Sequence, residues 1–292
     1  MVDMHAIEAI IQIYGQELAE QHPVHLYEIA ADFSADNTLK LKGRVLLEYQ
    51  KKEIIKRIRP VWTGRIENNI VSSERLDFLW AHSSVPLLHV YEDMVSERLA
   101  TQYRPDEWLK VLAGSGKYRL VLGEDMAMGW VIEEHVIYDL QEGHENKWLH
   151  LQIPRGSAAD ADMDEDELIR TATSYLEIPY LRGGRSRQAV DCSAFLQLVF
   201  LETAGLLLPR HSWEQKECGS SVAITDTGLW LAGDAVFGIS KRSNQKHVGL
   251  CIGENQIIHA SRRMGSVVIW DLDTFCKLYA IQAVRRFVRQ SD

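Results

Sequence analysis

The sequence predicts an α+β chain in three successive blocks, with a small β-barrel between two mixed modules. Over residues 1–80, helix-period and strand-period segments alternate; over 81–140, short apolar runs are split by Gly and Asp; over 164–292, helices come first and strands last. A chain of 292 residues exceeds one ordinary domain of roughly 100–200 residues, which agrees with several blocks.

In the first block Ile7, Ile10, Ile11, Tyr14 and Leu18 recur at helical spacing, so residues 4–20 read as an amphipathic helix. Residues 24–29 and 39–45 read as two strands, with Ala35-Asp36-Asn37 as the turn. Glu48 to Arg59 reads as a second helix with Ile54, Ile55 and Ile58 on one face, stopped by Pro60, which cannot continue a helical hydrogen-bond ladder. A strand near 65–79 completes a small α+β module whose element pattern resembles the BON domain.

The second block carries strand-like runs at 108–112, 118–122 and 129–132, a spacing that suggests a small barrel. Glu107-Trp108-Leu109-Lys110-Val111-Leu112 and Gly129-Trp130-Val131-Ile132 resemble the bacterial SH3-like barrel, in which one strand carries W-x-K-V and the last opens with G-W-V. Residues 141–163 read as a linker around Pro154-Arg155-Gly156-Ser157. The acidic run from Asp160 to Glu167 reads as a solvated helix start, with Asp164 and Glu167 at capping-box spacing. Leu168, Ala172, Tyr175 and Leu176 supply the apolar face of the helix that opens the third block, 164–292.

The chemistry concentrates in that block. After Asp191-Cys192-Ser193 the pattern turns helical, with Phe195, Leu198, Val199 and Leu201 apolar and Gly205 a natural stop. Cys192 therefore falls in a helix's first turn, where free N–H groups and the helix dipole favour a thiolate and a lowered pKa. His247 opens one strand and His259 ends another, with Gly253-Glu254-Asn255 as the turn between them. A hairpin brings such histidines together. A thiol nucleophile needs a base, and the base needs a partner that fixes its ring.

Taken in order, Tyr180-x-x-Gly183-Gly184, Asp191-Cys192-Ser193-x-Phe195, Pro209-Arg210-His211-Ser212, Gly233-Asp234-Ala235-Val236-Phe237, His247-Val248-Gly249 and Ile258-His259-Ala260 resemble the NlpC family of papain-like cysteine endopeptidases. The resemblance implies a papain-like catalytic block with Cys192 as nucleophile, His247 as general base, His259 as orienting residue and the Tyr180 hydroxyl beside the oxyanion. Family members join SH3-like domains to this block and hydrolyse the γ-D-glutamyl–diamino acid bond of peptidoglycan stem peptides. One subgroup acts inside the cell on L-Ala-γ-D-Glu-diamino acid peptides and holds their free amine with residues that correspond here to Asp191, Ser193 and Ser212. Two positions depart from the family pattern. Ala194 stands for the usual Gly, and Arg182 for the usual Trp, where an exposed side chain is expected.

Composition narrows the function further. Apolar residues at 46% and charged residues at 25% describe a globular protein, and a net charge of −9 argues against general nucleic-acid or anionic-membrane binding. No apolar run reaches the roughly 18 residues that span a bilayer. The first twenty residues carry acids where a secretory signal carries Lys or Arg, so the expected location is cytoplasmic. Four cysteines without CxxC spacing make neither a disulfide framework nor a zinc site, and neither a metal nor a cofactor is expected. The leading expectation is a cysteine peptidase of murein-peptide recycling. The alternatives are an exported wall hydrolase acting on intact peptidoglycan, an amidase or acyltransferase, and a non-catalytic binding module.

Overall fold

The computed structural model describes residues 4–21, 26–45, 48–72, 79–139, 148, 158–159 and 163–288. They fall into two compact units, Met1–Leu79 and Trp80–Asp292. No described helix is long and apolar enough to cross a membrane.

In the first unit, helix α1 (Met4–Gln21) precedes strands β1 (Tyr27–Phe33) and β2 (Leu39–Val45), helix α2 (Glu48–Ile58) and strand β3 (Ile66–Ser72). β1 and β2 form an antiparallel hairpin from Tyr27↔Val45 to Phe33↔Leu39, turning through Asn37 at φ 61°. β3 then pairs parallel to β2, which requires the crossover that α2 supplies. Ile7, Ile11, Tyr14 and Leu18 of α1 and Ile54 and Ile58 of α2 bury against Leu39, Leu41, Val45 and Ile70. The first strand runs further toward its turn than expected, because Ala30 to Phe33 continue the pairing; Val24 and His25 lie outside the described residues.

The second unit begins with seven short strands: β4 (Leu79–Ser83), β5 (Leu88–Tyr91), β6 (Leu99–Tyr103), β7 (Leu109–Ser115), β8 (Tyr118–Gly123), β9 (Met128–Ile132) and β10 (Val136–Asp139). They hydrogen-bond in the order β10-β4-β7-β8-β9-β5-β6 around Ala81, Leu88, Val90, Leu109, Val121 and Val131. The expected strands are present, but the ladder runs in one line from β10 to β6 and no closed barrel is found among the described residues. Closure depends on the register between end strands, which hydrophobic alternation does not encode. The expected linker 141–163 lies outside the described residues except at Trp148, Ala158, Ala159 and Met163.

Helix α3 (Glu165–Thr173) opens the rest of the unit, capped by the Asp164 carboxylate on the Glu167 N–H at 3.1 Å. Leu168, Ala172 and Tyr175 are buried as expected, whereas Leu176 lies past the helix end and is exposed. Helix α4 (Cys192–Ala204) follows, buried continuously from Ser193 to Phe200, as its nearly all-apolar surface requires. Gly205 ends it in the left-handed conformation at φ 63°. After the short helix α5 (Ser212–Gln215), strands β11 (Ser220–Val222), β12 (Asp234–Ser240), β13 (Lys246–Cys251), β14 (Gln256–Ser261), β15 (Ser266–Asp271) and β16 (Tyr279–Arg286) form one antiparallel sheet in the order β11-β16-β12-β13-β14-β15. α4 packs on β13 and β14, sharing a core of Phe195, Leu198, Val199, Val248, Leu250 and Ile258. Helix α6 (Leu272–Leu278) packs beside Cys251, Ile257 and Val284 in a second core.

Candidate active site

The nucleophile candidate sits where α4 begins. Asp191 is the N-cap, and its Oδ1 accepts the Ala194 N–H at 2.8 Å, so the carboxylate takes one of the helix's free donors. Cys192 is half-buried in the first turn, with the Val248 backbone N–H near enough to favour its thiolate. The helix packs on β13, where Val248 follows His247.

The two histidines meet through the hairpin register. β13 and β14 pair at Leu250↔Ile258 and Cys251↔Ile257; continued by count, the register sets His247 and His259 diagonally on one face. Their rings touch there, with His247 Nε2 at 2.8 Å from His259 Nδ1. Gly249 lies between them in this register, and a Cβ there would come within 2.7 Å of Ile257 Cδ1. Tyr279 stacks on His247 at 4.7 Å, and Trp270 and Phe275 flank His259 at 4.5 and 5.3 Å. With Nε2 engaged, Nδ1 is the nitrogen of His247 left to accept a proton. His247 must then donate from Nε2, and His259 must carry its own hydrogen on Nε2. That atom is buried among these rings and meets no polar partner among the described residues.

Tyr180 is fixed by its N–H on the Gly265 carbonyl at 2.8 Å and by a parallel bridge to Val190. Gly183, at φ 79°, allows the following turn to press on the strand at Leu99; a Cβ there would sit 2.4 Å from the Leu99 carbonyl oxygen. Burial first, then the neighbouring Cys192 and Asp191, raise the Tyr180 hydroxyl pKa, so it stays a hydrogen-bond donor. Tyr180 and His247 line one cleft of about 470 Å³.

The resting thiol differs from the expectation. Burial first, and then the Asp191 carboxylate, push the Cys192 pKa up to about 12, against the opposing N–H donors. The helix terminus does not lower it, because Asp191 occupies the first-turn donor and places a negative charge beside the sulfur. Burial also pushes His247 down from 6.5 to about 4 and His259 to about 2. At neutral pH the two groups are thus a thiol and an imidazole, an arrangement in which nucleophilic attack would have to be coupled to proton transfer. With His247 as base its neutral form would do the work, so kcat/KM is expected to fall only as pH drops through about 4 and to stay flat through neutrality. A pH–rate profile with its acid limb near 6.5 would contradict the buried geometry.

Asp191 and Ser193, expected at the substrate amine, face Arg210 instead. Arg210 is buried and donates from Nη2 to Asp191 Oδ2 at 2.6 Å and from Nη1 to Asp191 Oδ1 at 3.0 Å and Ser193 Oγ at 2.9 Å. The Gly183 N–H and the Ser193 hydroxyl also donate to Asp191, at 3.0 and 3.1 Å. An incoming ammonium would have to displace one of these donors. Burial raises the Asp191 pKa, but Arg210 and the backbone donors outweigh it and hold the carboxyl below its ordinary value. Ser212 is buried at the start of α5, whose Gln215 donates to the Ser193 carbonyl at 3.0 Å.

Arg210, part of the Pro209-Arg210-His211-Ser212 motif, was given no role by the sequence. Its Nε donates to Thr101 Oγ1 on β6 at 2.9 Å, which ties the nucleophile's helix cap to the seven-stranded sheet. A second buried guanidinium does likewise: Arg185 reaches Gln197 of α4 at 2.9 Å and Glu107 at 2.7 Å. Arg182 is about half exposed, at 49%, and its Nη2 pairs with Glu92 at 2.5 Å. A long-range ion pair has no local periodicity, so only the motif itself could have flagged Arg210. Among the described residues no group of three His, Cys, Asp or Glu is placed to hold a metal ion.

A thiol heading a buried helix, set against a histidine pair on an antiparallel hairpin, is the layout of a cysteine-nucleophile hydrolase. Residues 177–285 match the model of the NlpC/P60 family, so the chain carries an NlpC/P60 domain over that stretch; members of this family are cysteine peptidases. The chain is 40% identical over 91 residues to the murein DD-endopeptidase MepS/murein LD-carboxypeptidase of Escherichia coli K12, covering 31% of this chain and 46% of that protein. It is 31% identical over 123 residues to the γ-D-glutamyl-L-lysine dipeptidyl-peptidase of Bacillus subtilis 168, covering 41% and 40%. A crystal structure of an NlpC/P60 family protein from Bacillus cereus ATCC 10987 aligns with a TM-score of 0.39 at 22% identity, over 74% of this chain and 66% of that one. The chain spans less than half the length of these two curated relatives.

Proposed function

We propose that this chain is a cysteine peptidase that cleaves the γ-D-glutamyl–diamino acid bond of peptidoglycan-derived peptides. The observation that carries the reading is Cys192 in the first turn of α4, the helix that packs on β13, together with the 2.8 Å His247–His259 pair on the β13–β14 hairpin. Sγ attacks the γ-carbonyl while His247 Nδ1 takes the thiol proton. The Cys192 N–H and the Tyr180 hydroxyl receive the oxyanion. His247 then protonates the leaving amine, and water hydrolyses the thioester by the reverse proton path.

The finer reading is recycling in the cytoplasm of released peptides with a free L-Ala amine, with the seven-stranded segment serving as an SH3-like wall of the substrate pocket. Its support is the similarity to a relative named as a dipeptidyl-peptidase. Asp191 contributes less than the family pattern implies, because Arg210 already holds it. The second reading, hydrolysis of intact wall, is favoured by the 40% identity to a murein endopeptidase.

One assay separates them: L-Ala-γ-D-Glu-diaminopimelate, its N-acetylated form and intact sacculi, with products read by mass spectrometry. Release of L-Ala-D-Glu from the free peptide, with the acetylated form and sacculi cut far more slowly, is the expected result. Equal cleavage of the two peptides would end the recycling reading and leave the peptidase reading standing. No cleavage of any substrate would end both.

A further inference from the structure

The cleft beside His247 is cationic. Arg242 comes from the β12–β13 connection and Arg262 and Arg263 from the β14–β15 turn, while Lys246, the first residue of β13, turns its ammonium over the Trp213 ring at 4.7 Å; among the described residues no Asp or Glu lines the cleft. This is unusual in a chain whose 41 acidic residues outnumber its 32 Lys and Arg. Elsewhere the exposed arginines pair readily, as Arg44 does with Glu28 and Arg187 with Glu202. Arg242, Arg262 and Arg263 form no ion pair among the described residues.

Both turns are held in place. The Gly265 N–H bonds the Ser261 carbonyl at 2.9 Å, and the Gly265 carbonyl accepts from Tyr180, which ties the Arg262-Arg263 turn to the oxyanion side. Ser240 closes the other turn through its N–H on the Gln245 carbonyl at 2.8 Å and its carbonyl on the Asn244 N–H at 2.9 Å. Trp270, Leu278 and Tyr279 supply apolar surface between them. The direction of the cleft follows from the chemistry. His247 must protonate the departing nitrogen, so the leaving residue extends over His247 into this space.

We infer that these three arginines form a carboxylate subsite for the leaving residue, which selects a diamino acid whose side chain ends in a carboxylate over one that ends in an amine alone. The inference rests on the peptidase reading above and adds the identity of the diamino acid. Diaminopimelate places methylenes against Trp270 and Tyr279 and a carboxylate among the guanidinium groups, which suit planar anions. The lysine side chain brings an ammonium without that carboxylate to the same place, where three guanidinium charges oppose it.

The test compares L-Ala-γ-D-Glu-meso-diaminopimelate with L-Ala-γ-D-Glu-L-Lys on the full chain, and repeats the comparison with an Arg262→Gln/Arg263→Gln variant. Exposed ion pairs are individually weak, so several acting together set a preference of roughly tenfold in kcat/KM for diaminopimelate. The preference should lie mainly in KM, shrink as salt is raised, and approach unity in the variant. Equal or better cleavage of the lysine peptide by the unaltered chain would overturn the subsite while leaving the peptidase reading intact. So would a preference that survives the double substitution or high salt. Failure to cleave either peptide would remove the peptidase reading and the subsite with it.

Discussion

Replacing Cys192 with Ala is expected to lower kcat/KM by on the order of 10⁴-fold or more, the scale seen when a covalent nucleophile is removed. The chain holds three other thiols, and none can substitute. Cys218 and Cys251 are buried, and Cys276 lies on α6 with its carbonyl accepting from Lys241. Of the four thiols only Cys192 stands in the first turn of α4, the helix that packs on the strand carrying His247. The fold should persist, because the side chain is half-buried and the α4 cap belongs to Asp191 and not to the sulfur. The measurement pairs a peptide-cleavage assay with thermal unfolding. A variant with normal Tm and no turnover is the expected outcome; retained turnover would mean that another group attacks the substrate.

The parts of this site that announce themselves in sequence are those with local chemistry. Asp164 with Glu167, Gly205 after an apolar helix, and Gly253-Glu254-Asn255 between two short strands each encode a boundary through backbone preferences, and the structure has α3, the end of α4 and the β13–β14 turn at those places. Once the hairpin exists, its register brings two histidines twelve positions apart into contact.

What stayed hidden depends on partners far apart in the chain. Arg210 meets Asp191 across nineteen positions and Thr101 across more than a hundred, and Arg286 meets Asp234 across fifty-two. No periodicity marks such pairs. The electrostatic state of the thiol was misjudged for the same reason. A helix start suggests a lowered pKa, but burial and the neighbouring carboxylate are tertiary facts and they prevail. Three of the seven short strands, β7, β8 and β9, were likewise readable singly, while β4, β5, β6, β10 and the path of the ladder were not.

Arg210 carries the second large expectation. Arg210→Ala would leave the Asp191 carboxylate buried beside the nucleophile without its guanidinium, and breaking a buried pair on one side costs roughly 3–5 kcal/mol. In a unit of this size that corresponds to a fall in Tm of roughly 10 °C. The pH dependence gives the diagnosis. In the unaltered chain Asp191 is held below its ordinary value of 3.8, so its stabilisation is complete above that pH and is lost as pH falls through the lower folded value. In the variant, burial is no longer outweighed by Arg210, and the Asp191 pKa should rise above its unfolded value. The variant therefore gains from protonation as pH falls, and its deficit should be largest at neutral pH and shrink toward pH 4. Adding Asp191→Asn, which removes the orphaned charge and keeps an acceptor for the Ala194 N–H, should recover part of the loss at neutral pH. Denaturant unfolding of both single variants and the double variant at several pH values measures the coupling. A deficit under 1 kcal/mol that does not change with pH would show that the pair does not hold the start of α4, and that Asp191 is free to meet a substrate amine after all.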